Sequence, residues 1–397
     1  MISQREAFNF AATWAARAGV LFLIYTILIL EPNPLSPRRS PGVRKIPDDV
    51  VIGPDETVET ENEQVCLHTR VTDEVEEGKI QKTFQMAREM GAATVVEYLP
   101  WAYVEYEEDE YDWIHPDRIL LHMENQGIKP IIRLGFVPDW LRPEEDEAFT
   151  NANFLTEDAA DEYIDYVADF VERYEDVVDT IIIWNEPNLN LEWSESGSDP
   201  EEYTELLRRA YEAAKEANPD VFVLGGALAP TNEPPRGIGG WNDIDFLNEM
   251  YKAGAGDYMD GLAAHVYGFD QPPQAEPDIE ELNFRRIELV RELMVEHGYA
   301  DQPVYVTEGG WNDHPRWVHA VRPGQRIAYT LDAYEYARAN YPWMEAFCLW
   351  AFRYPAPTNR YPDYFTFASA EFDPKPIYDV LRAYARGEEM PDWLIVR

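Results

Sequence analysis

The sequence predicts an α/β fold, a closed (β/α)8 barrel of the TIM type, preceded by a hydrophobic helix and a Pro-rich linker. From residue 64 onward, short apolar runs rich in β-branched residues alternate with amphipathic, helix-like stretches. This alternation is typical of βα units in a buried parallel sheet. Eight such units fit a closed barrel better than an open doubly wound sheet. No glycine-rich phosphate loop follows the first run, which argues against a nucleotide-binding fold.

The apolar runs are short enough to be strands, and the stretches between them are long enough to be helices. The runs lie at residues 65–67, 94–99, 130–134, 180–184, 221–225, 261–265, 304–307 and 346–350. The helix-like stretches lie near 79–90, 116–126, 157–174, 200–217, 243–253, 280–297, 324–340 and 375–386. Pro116 at a first helical position, with Gly127 and Gly298 after helical C-termini, supports these boundaries.

Composition narrows the choice of partners. The 397 residues include 75 acidic and 33 basic side chains, for a net charge of -42. Such a surface repels nucleic acid and anionic lipid, so we expect no nucleic-acid partner. Composition says nothing about the oligomeric state.

The N-terminal region differs from the rest. Residues 18–30 are uncharged and mostly aliphatic, after Arg5 and Arg17. We prefer an uncleaved signal-anchor or transmembrane helix in residues 1–30 over a cleaved signal peptide or a buried or interfacial helix. Residues 31–61, with six prolines and several acids, are predicted to be a semi-extended linker that does not pack. The barrel domain then covers residues 62–397.

Two glutamates each follow an apolar run. Glu186 follows 180–184 and Glu308 follows 304–307. The carboxyl ends of all barrel strands meet at one mouth, where the chemistry of such folds takes place. A pair of carboxylates at one mouth is the minimal machinery for cleaving a glycosidic bond. Other side chains expected at this mouth are His68, Arg70, Trp101, Asn185, His265, Tyr267, Trp311 and Trp350.

Three motifs carry a more specific resemblance. Trp-Asn-Glu-Pro at 184–187, Ala-His-Val-Tyr-Gly at 264–268 and Thr-Glu-Gly-Gly-Trp at 307–311 stand at the ends of runs 4, 6 and 7. Together they resemble the clan A glycoside hydrolases, with families 39 and 5 the nearest comparison, over residues 62–388. The resemblance implies retaining hydrolysis of a β-linked carbohydrate. The seven histidines show no convincing metal-ligand spacing, so we expect no metal, and we expect no cofactor.

The resemblance also implies a role for each residue. Glu186 is expected to be the acid/base and Glu308 the nucleophile, with the pKa raised at Glu186 and kept low at Glu308. Retention requires carboxyl groups about 5–5.5 Å apart. Tyr267 is placed to donate to Glu308, and Asn185 to hold the sugar 2-hydroxyl. His265 is expected beside the acid/base, with Trp350 as the apolar platform under the sugar ring; His68, Arg70, Trp101 and Trp311 are expected to line the pocket.

One position departs from the family pattern. Many relatives carry an arginine on strand 2, where this chain has Val96 and Glu97. Either Arg70 or Arg133 replaces it in ordering the nucleophile, or the site is weakened. A weakened site would favour the alternative function, a catalytically silent glycan-binding domain or external subunit of a membrane assembly.

Cys66 and Cys348 are the two cysteines and lie on the first and last runs, which are neighbours only in a closed barrel. We expect free buried thiols, because a disulfide across adjacent parallel strands needs unusual geometry.

The expected location is outside the cytoplasm, membrane-anchored or secreted, since a secreted polysaccharide is the implied substrate. Arg38, Arg39, Arg44 and Lys45 follow the apolar segment and argue for the opposite orientation by the positive-inside rule.

Overall fold

The computed structural model describes residues 58–142, 154–194 and 196–394. The predicted N-terminal helix and residues 31–57 of the predicted linker lie outside the described residues. Among the helices that are described, none is both long enough and apolar enough to cross a membrane.

Eight parallel strands form a closed barrel, as predicted. Each strand pairs with the next along the chain, and the last pairs with the first. Every predicted run falls on one of them. The strands are β1 (Val65–His68), β2 (Thr94–Pro100), β3 (Lys129–Gly135), β4 (Thr180–Ile183), β5 (Phe222–Leu228), β6 (Gly261–Tyr267), β7 (Val304–Gly310) and β8 (Met344–Leu349).

Eight α-helices lie within the described part of the chain, one after each strand. They are α1 (Glu77–Glu89), α2 (Ile114–Asn125), α3 (Glu157–Arg173), α4 (Pro200–Ala217), α5 (Asp243–Lys252), α6 (Ile287–Glu296), α7 (Pro323–Asn340) and α8 (Pro376–Ala385). The predicted start of the sixth helix at 280 is wrong. Asn283 caps a one-turn 3-10 helix, Phe284–Arg286, by accepting from the Arg286 N–H at 3.0 Å, and α6 begins after that turn.

Side chains alternate between the barrel interior and the layer against the helices, since neighbouring residues on a strand point to opposite faces. A small apolar cluster fills the interior: Cys66, Val96, Ile131, Ile182, Leu224, Ala227, Ala263, Ala346 and Cys348. On five of these strands, the residue two positions after the cluster member faces the mouth of the barrel. These residues are His68, Tyr98, Arg133, His265 and Trp350. The site therefore lies directly above this packed apolar cluster.

The prediction of free thiols is wrong, because Cys66 and Cys348 form a disulfide. The two residues are in-register partners on β1 and β8, with Cα atoms 4.1 Å apart, and both belong to the interior cluster. Closure of the barrel places both sulfurs on the same side of the sheet, which the separation of the cysteines in the sequence does not reveal.

The end of the predicted linker also differs from expectation, since residues 58–61 pack on the barrel. Arg88 of α1 donates to the Val58 carbonyl and, at 2.9 Å, to the Thr60 hydroxyl. Thr60 in turn donates to the Gly91 carbonyl at 2.7 Å. These bonds satisfy polar groups of the segment, so residues 58–61 pack as part of the barrel domain.

We expect the disulfide to stabilise the domain, because it links residues 282 positions apart and so restricts the unfolded chain. Reductant should lower the free energy of unfolding by about 2–5 kcal/mol, measured by equilibrium urea unfolding with and without a thiol. The Cys66→Ala variant is the control, since it has no bond to reduce. Equal midpoints for the oxidised and reduced wild type would contradict the prediction.

Candidate active site

The backbone after β4 turns sharply to present Glu186 at the mouth. Trp184 and Glu186 both have a positive backbone φ, 68° and 45° respectively. Residues other than glycine rarely adopt this region of φ. Two bonds hold this turn: the Trp184 N–H donates to the Leu134 carbonyl and the Glu186 N–H to the Ala227 carbonyl, each at 3.0 Å. Neighbouring strands thus impose the strained backbone that aims Glu186 at the barrel axis.

Asn188 fixes the loop that follows. Its side-chain amide is buried and donates to the carbonyls of Ala229 and Trp241, at 2.9 and 3.0 Å, while its oxygen accepts from the Ala229 N–H at 2.9 Å. The loop after β4 is therefore tied to the loop after β5. In the sequence Asn-Glu-Pro-Asn at 185–188, the second asparagine, Asn188, therefore has a structural role.

A β-bulge directs Glu308 inward. On β7, Val306 pairs with Ala264, but the next paired residue is Glu308, opposite His265, so Thr307 is an extra residue. Val306 packs in the outer layer against the helices. Without the extra residue, strict alternation would send Glu308 to that same outer layer. The bulge thus places the carboxylate beside His265, inside the barrel.

Glu186, His265 and Glu308 meet at the centre of the mouth. One carboxylate oxygen of each glutamate and one ring nitrogen of His265 all lie within 4.8 Å of one another. His265 Nδ1 is 2.8 Å from Glu186 Oε1 and 3.8 Å from Glu308 Oε2. The two glutamates, 122 positions apart in the printed sequence, therefore share one pocket, as predicted.

Glu308 is the best-supported carboxylate of the group. Arg133 Nη1 donates to its Oε1 at 2.5 Å, and the Tyr267 hydroxyl donates to its Oε2 at 2.9 Å. Burial disfavours the ionised form, but His265 and Arg133 outweigh it and hold the pKa of Glu308 at about 2. The carboxylate is therefore ionised at any working pH. The predicted low pKa is confirmed here; the raised pKa expected of Glu186 stays a prediction.

Tyr267 is half-buried, and desolvation together with the charge of Glu308 raises its pKa well above the usual range. It therefore keeps its proton and acts as a hydrogen-bond donor.

Arg133 resolves the question raised by strand 2. It lies on β3, next to β2 in the sheet, and also donates from Nη1 to Asn185 Oδ1 at 2.6 Å. Glu97, in contrast, is fully buried on the outer face of β2 and accepts from the Thr69 hydroxyl at 2.6 Å and the Val71 N–H at 3.0 Å. Of the two predicted substitutes, Arg133 is the one that bonds to Glu308. Glu97 instead anchors the loop after β1.

His68, Trp350 and Arg70 form one wall. His68 donates from Nδ1 to the Thr69 carbonyl at 2.7 Å, and its Nε2 lies 3.8 Å from Glu308 Oε1. Burial, with Arg133 nearby, keeps the pKa of His68 well below its usual value, so the ring is neutral. Trp350 packs edge-on against His68 at 4.5 Å, and the Arg70 guanidinium lies 5.6 Å from the Trp350 ring centre.

The sequence and structure comparisons agree with this geometry. The family profile described as glycosyl hydrolases family 39 matches residues 102–379. The chain belongs to glycosyl hydrolase family 39. This confirms the predicted resemblance to clan A enzymes, and within it favours family 39.

Solved structures show the same fold. A family 39 glycoside hydrolase from Bacteroides cellulosilyticus superimposes with a TM-score of 0.65 at 22% identity, covering 83% of this chain and 65% of that one. A monomeric β-xylosidase from Caulobacter crescentus gives 0.60 at 19% identity, covering 83% and 69%. A β-glucosidase from Exiguobacterium marinum gives 0.57 at 13% identity, covering 83% and 98%. The chain thus spans just under two thirds of the Bacteroides protein.

Two tryptophans predicted for the family 39 pocket do not face it. Trp101 is fully buried between the barrel and α3, where it stacks on Tyr166 at 5.7 Å. Trp311 is 2% exposed and donates to the Gln271 carbonyl at 2.9 Å. A Cβ on Gly268 would stand 1.9 Å from the Trp311 ring, so this glycine permits the close packing. The prediction that either ring contacts substrate is wrong.

Several aromatic residues near Arg133 and Tyr267 were not identified by sequence reasoning. Tyr98 lies with its ring centre 4.9 Å from the Arg133 guanidinium, at the inward position that follows Val96 on β2. An aromatic series leads outward from Tyr267 through Phe365 to Trp317, with ring centres 5.5 and 6.3 Å apart. Strand alternation could have identified Tyr98; the loop aromatics carry no such signal.

Glu186, His265 and Glu308 also have the donor types of a metal site. Arg133 and Tyr267, however, already bond to the two oxygens of Glu308. A cation would have to compete with a guanidinium at 2.5 Å, so the arrangement is better suited to holding a carboxylate nucleophile.

We expect the depressed pKa of Glu308 to stabilise the fold in a pH-dependent way. A glutamate in an unfolded chain has a pKa of about 4.3, so its stabilisation is complete above that value and is lost as pH falls toward the folded pKa of about 2. Between pH 6 and 3 the wild type should lose about 2 kcal/mol more than Glu308→Gln. Urea unfolding at each pH measures this, with exposed Glu216→Gln as the control. Parallel curves for the wild type and Glu308→Gln would contradict it.

Proposed function

We propose that the protein is a retaining glycoside hydrolase that cleaves β-linked oligo- or polysaccharides by a two-glutamate double displacement. The observation that supports this most is the approach of Glu186 and Glu308, whose nearest oxygens lie within 4.8 Å. Inverting enzymes hold their carboxyl groups roughly 6.5–9.5 Å apart to leave room for a water molecule, whereas retaining enzymes hold them at about 5–5.5 Å. The compact pair favours direct attack on the sugar.

The chemistry follows from the different surroundings of the two glutamates. Glu308, ionised and held by Arg133 and Tyr267, attacks the anomeric carbon while Glu186 protonates the departing glycosidic oxygen. The bond to the leaving sugar breaks as the glycosyl–Glu308 ester forms. In the second step Glu186 takes a proton from water, and the resulting hydroxide attacks the anomeric carbon and releases Glu308.

The remaining groups bind the sugar. In our proposal the Asn185 amide holds the 2-hydroxyl, and partly exposed Trp350 supports the apolar face of the ring. A net charge of -42 favours a neutral sugar chain over a polyanionic one. The similar solved structures include a β-xylosidase and a β-glucosidase, which supports a β-linked substrate.

We also propose that the domain works outside the cytoplasm, held to the membrane by the N-terminal apolar segment. The Cys66–Cys348 bond supports this, because disulfides persist mainly in oxidising compartments. Protease added to intact cells should then degrade the barrel; protection in intact cells with degradation after lysis would place it in the cytoplasm.

For catalysis, we expect Glu308→Ala to reduce kcat/KM on an aryl β-glycoside by about 10³-fold or more, since it removes the nucleophile. Glu186→Ala should cost about 10²–10⁴-fold on substrates with poor leaving groups, which need the acid, and much less on activated aryl glycosides. The control is Glu216→Ala, an exposed glutamate on α4.

Two measurements complete this test. Proton NMR of the first product should show the β-anomer, and a 2-fluoro glycoside should label Glu308, located by mass spectrometry of the peptides. An inactive wild type that still binds oligosaccharide would establish the silent alternative. An inverted product would remove the double displacement.

A further inference from the structure

Three aromatic residues from different loops lie side by side at the mouth of the barrel. Phe269 follows β6, Trp317 lies between β7 and α7, and Tyr361 lies between β8 and α8. The Trp317 ring centre is 6.3 Å from that of Phe269 and 5.4 Å from that of Tyr361. We call these three residues the aromatic rim. Loops that follow the strands of such a barrel lie at its catalytic face, so the rim shares that face with Glu186 and Glu308.

The aromatic rim is continuous with the catalytic pair. Tyr267, whose hydroxyl donates to Glu308 Oε2 at 2.9 Å, has its ring centre 6.2 Å from that of Phe269. Buried Phe365 contacts both Tyr267 and Trp317, with ring centres 5.5 and 6.3 Å apart. Successive rings therefore lead from the nucleophile outward along the rim, over a distance that a chain of a few sugars spans.

The loops hold the aromatic rim in place. Phe269 has a positive φ of 49°, and the Trp311 indole N–H donates to the nearby Gln271 carbonyl at 2.9 Å. The buried Asn312 side chain donates to the Tyr361 carbonyl at 2.9 Å, which ties the loop after β8 to the end of β7. Strained backbone in an anchored loop is typical of functional positions. Rings that are fixed in advance also lose little entropy when a ligand binds.

The aromatic rim is open to solvent and has polar groups at its edge. Tyr361 is 49% exposed, and Phe269 and Trp317 are half-buried. The His319 ring centre is 5.7 Å from that of Trp317, and His319 Nδ1 lies 3.8 Å from Asp270 Oδ1. Flat rings bordered by hydrogen-bonding groups suit a sugar, which presents an apolar C–H face and an edge of hydroxyls. The net charge of -42 disfavours an anionic chain.

We propose that the aromatic rim is an extended binding surface for a neutral β-linked sugar chain whose scissile bond lies between Glu186 and Glu308. The inference rests on the proposed function, because that function supplies the reaction at the inner end of the rim. The enzyme then prefers chains several sugars long, since each further sugar that reaches the rim adds binding energy to the transition state. A short aryl glycoside reaches the catalytic pocket alone.

Chain length and two substitutions test this surface by kinetics. The probes are the β-1,4-linked series from xylobiose to xylohexaose and from cellobiose to cellohexaose. On the better series, kcat/KM of the wild type should rise at least about tenfold from disaccharide to hexasaccharide. Tyr361→Ala and Trp317→Ala should lower kcat/KM on the hexasaccharide about tenfold more than on an aryl β-glycoside. The matched control is Trp393→Ala, since Trp393 is a 51% exposed tryptophan beyond α8.

Binding gives a readout that does not depend on turnover. Glu308→Ala lacks the nucleophile but keeps the aromatic rim. Isothermal titration calorimetry of this variant should show the hexasaccharide bound at least about tenfold more tightly than the disaccharide. Adding Tyr361→Ala should remove most of that difference, and adding Trp393→Ala should leave it unchanged. Circular dichroism and thermal unfolding confirm that each variant is folded.

The outcomes are distinguishable. An active wild type with equal kcat/KM on short and long chains, or with equal losses on both substrates in Tyr361→Ala, would overturn this inference and leave the proposed function intact. An inactive wild type would overturn the proposed function. In that case, binding that tightens with chain length and weakens in Tyr361→Ala would still support the surface. Binding that ignores chain length, or no binding of either series, would reject it.

Discussion

The ion pair between Arg133 and Glu308 is the constraint on which the site depends. Glu308 is 6% exposed, and a buried carboxylate is costly unless a cation and hydrogen bonds support it. Arg133 supplies the cation at 2.5 Å and bonds to Asn185 with the same nitrogen. Removing this guanidinium would leave Glu308 without its arginine partner and the Asn185 oxygen without the donor on Arg133. Glu308 and Asn185 are therefore both ordered by one side chain.

The barrel makes this pair possible through simple strand geometry. Because side chains on a strand alternate in direction with a period of two, polar residues at the mouth lie directly above the interior apolar cluster. Arg133 comes two positions after Ile131, and His68 two positions after Cys66. Glu308 needs one further device, the extra residue Thr307, to reach the same layer. Closure between β1 and β8 then brings His68 and Trp350 together, at 4.5 Å, on the wall of the pocket.

Where sequence reasoning failed, the cause is a change of direction that residue type does not encode. Trp101 follows its strand directly, but a one-turn helix turns it into the layer against α3. Glu97 was considered as the family's arginine position, yet it lies on the outer face of β2.

The sequence by itself determined the number and order of the βα units, most of their boundaries to within a few residues, and the two glutamates at strand ends. Apolar periodicity, proline and glycine are local signals, because each can be recognised within a short stretch of consecutive residues. Tertiary structure alone decided which arginine supports Glu308 and that the two cysteines bond. Each of these depends on distances between strands, and those distances exist only once the sheet has closed.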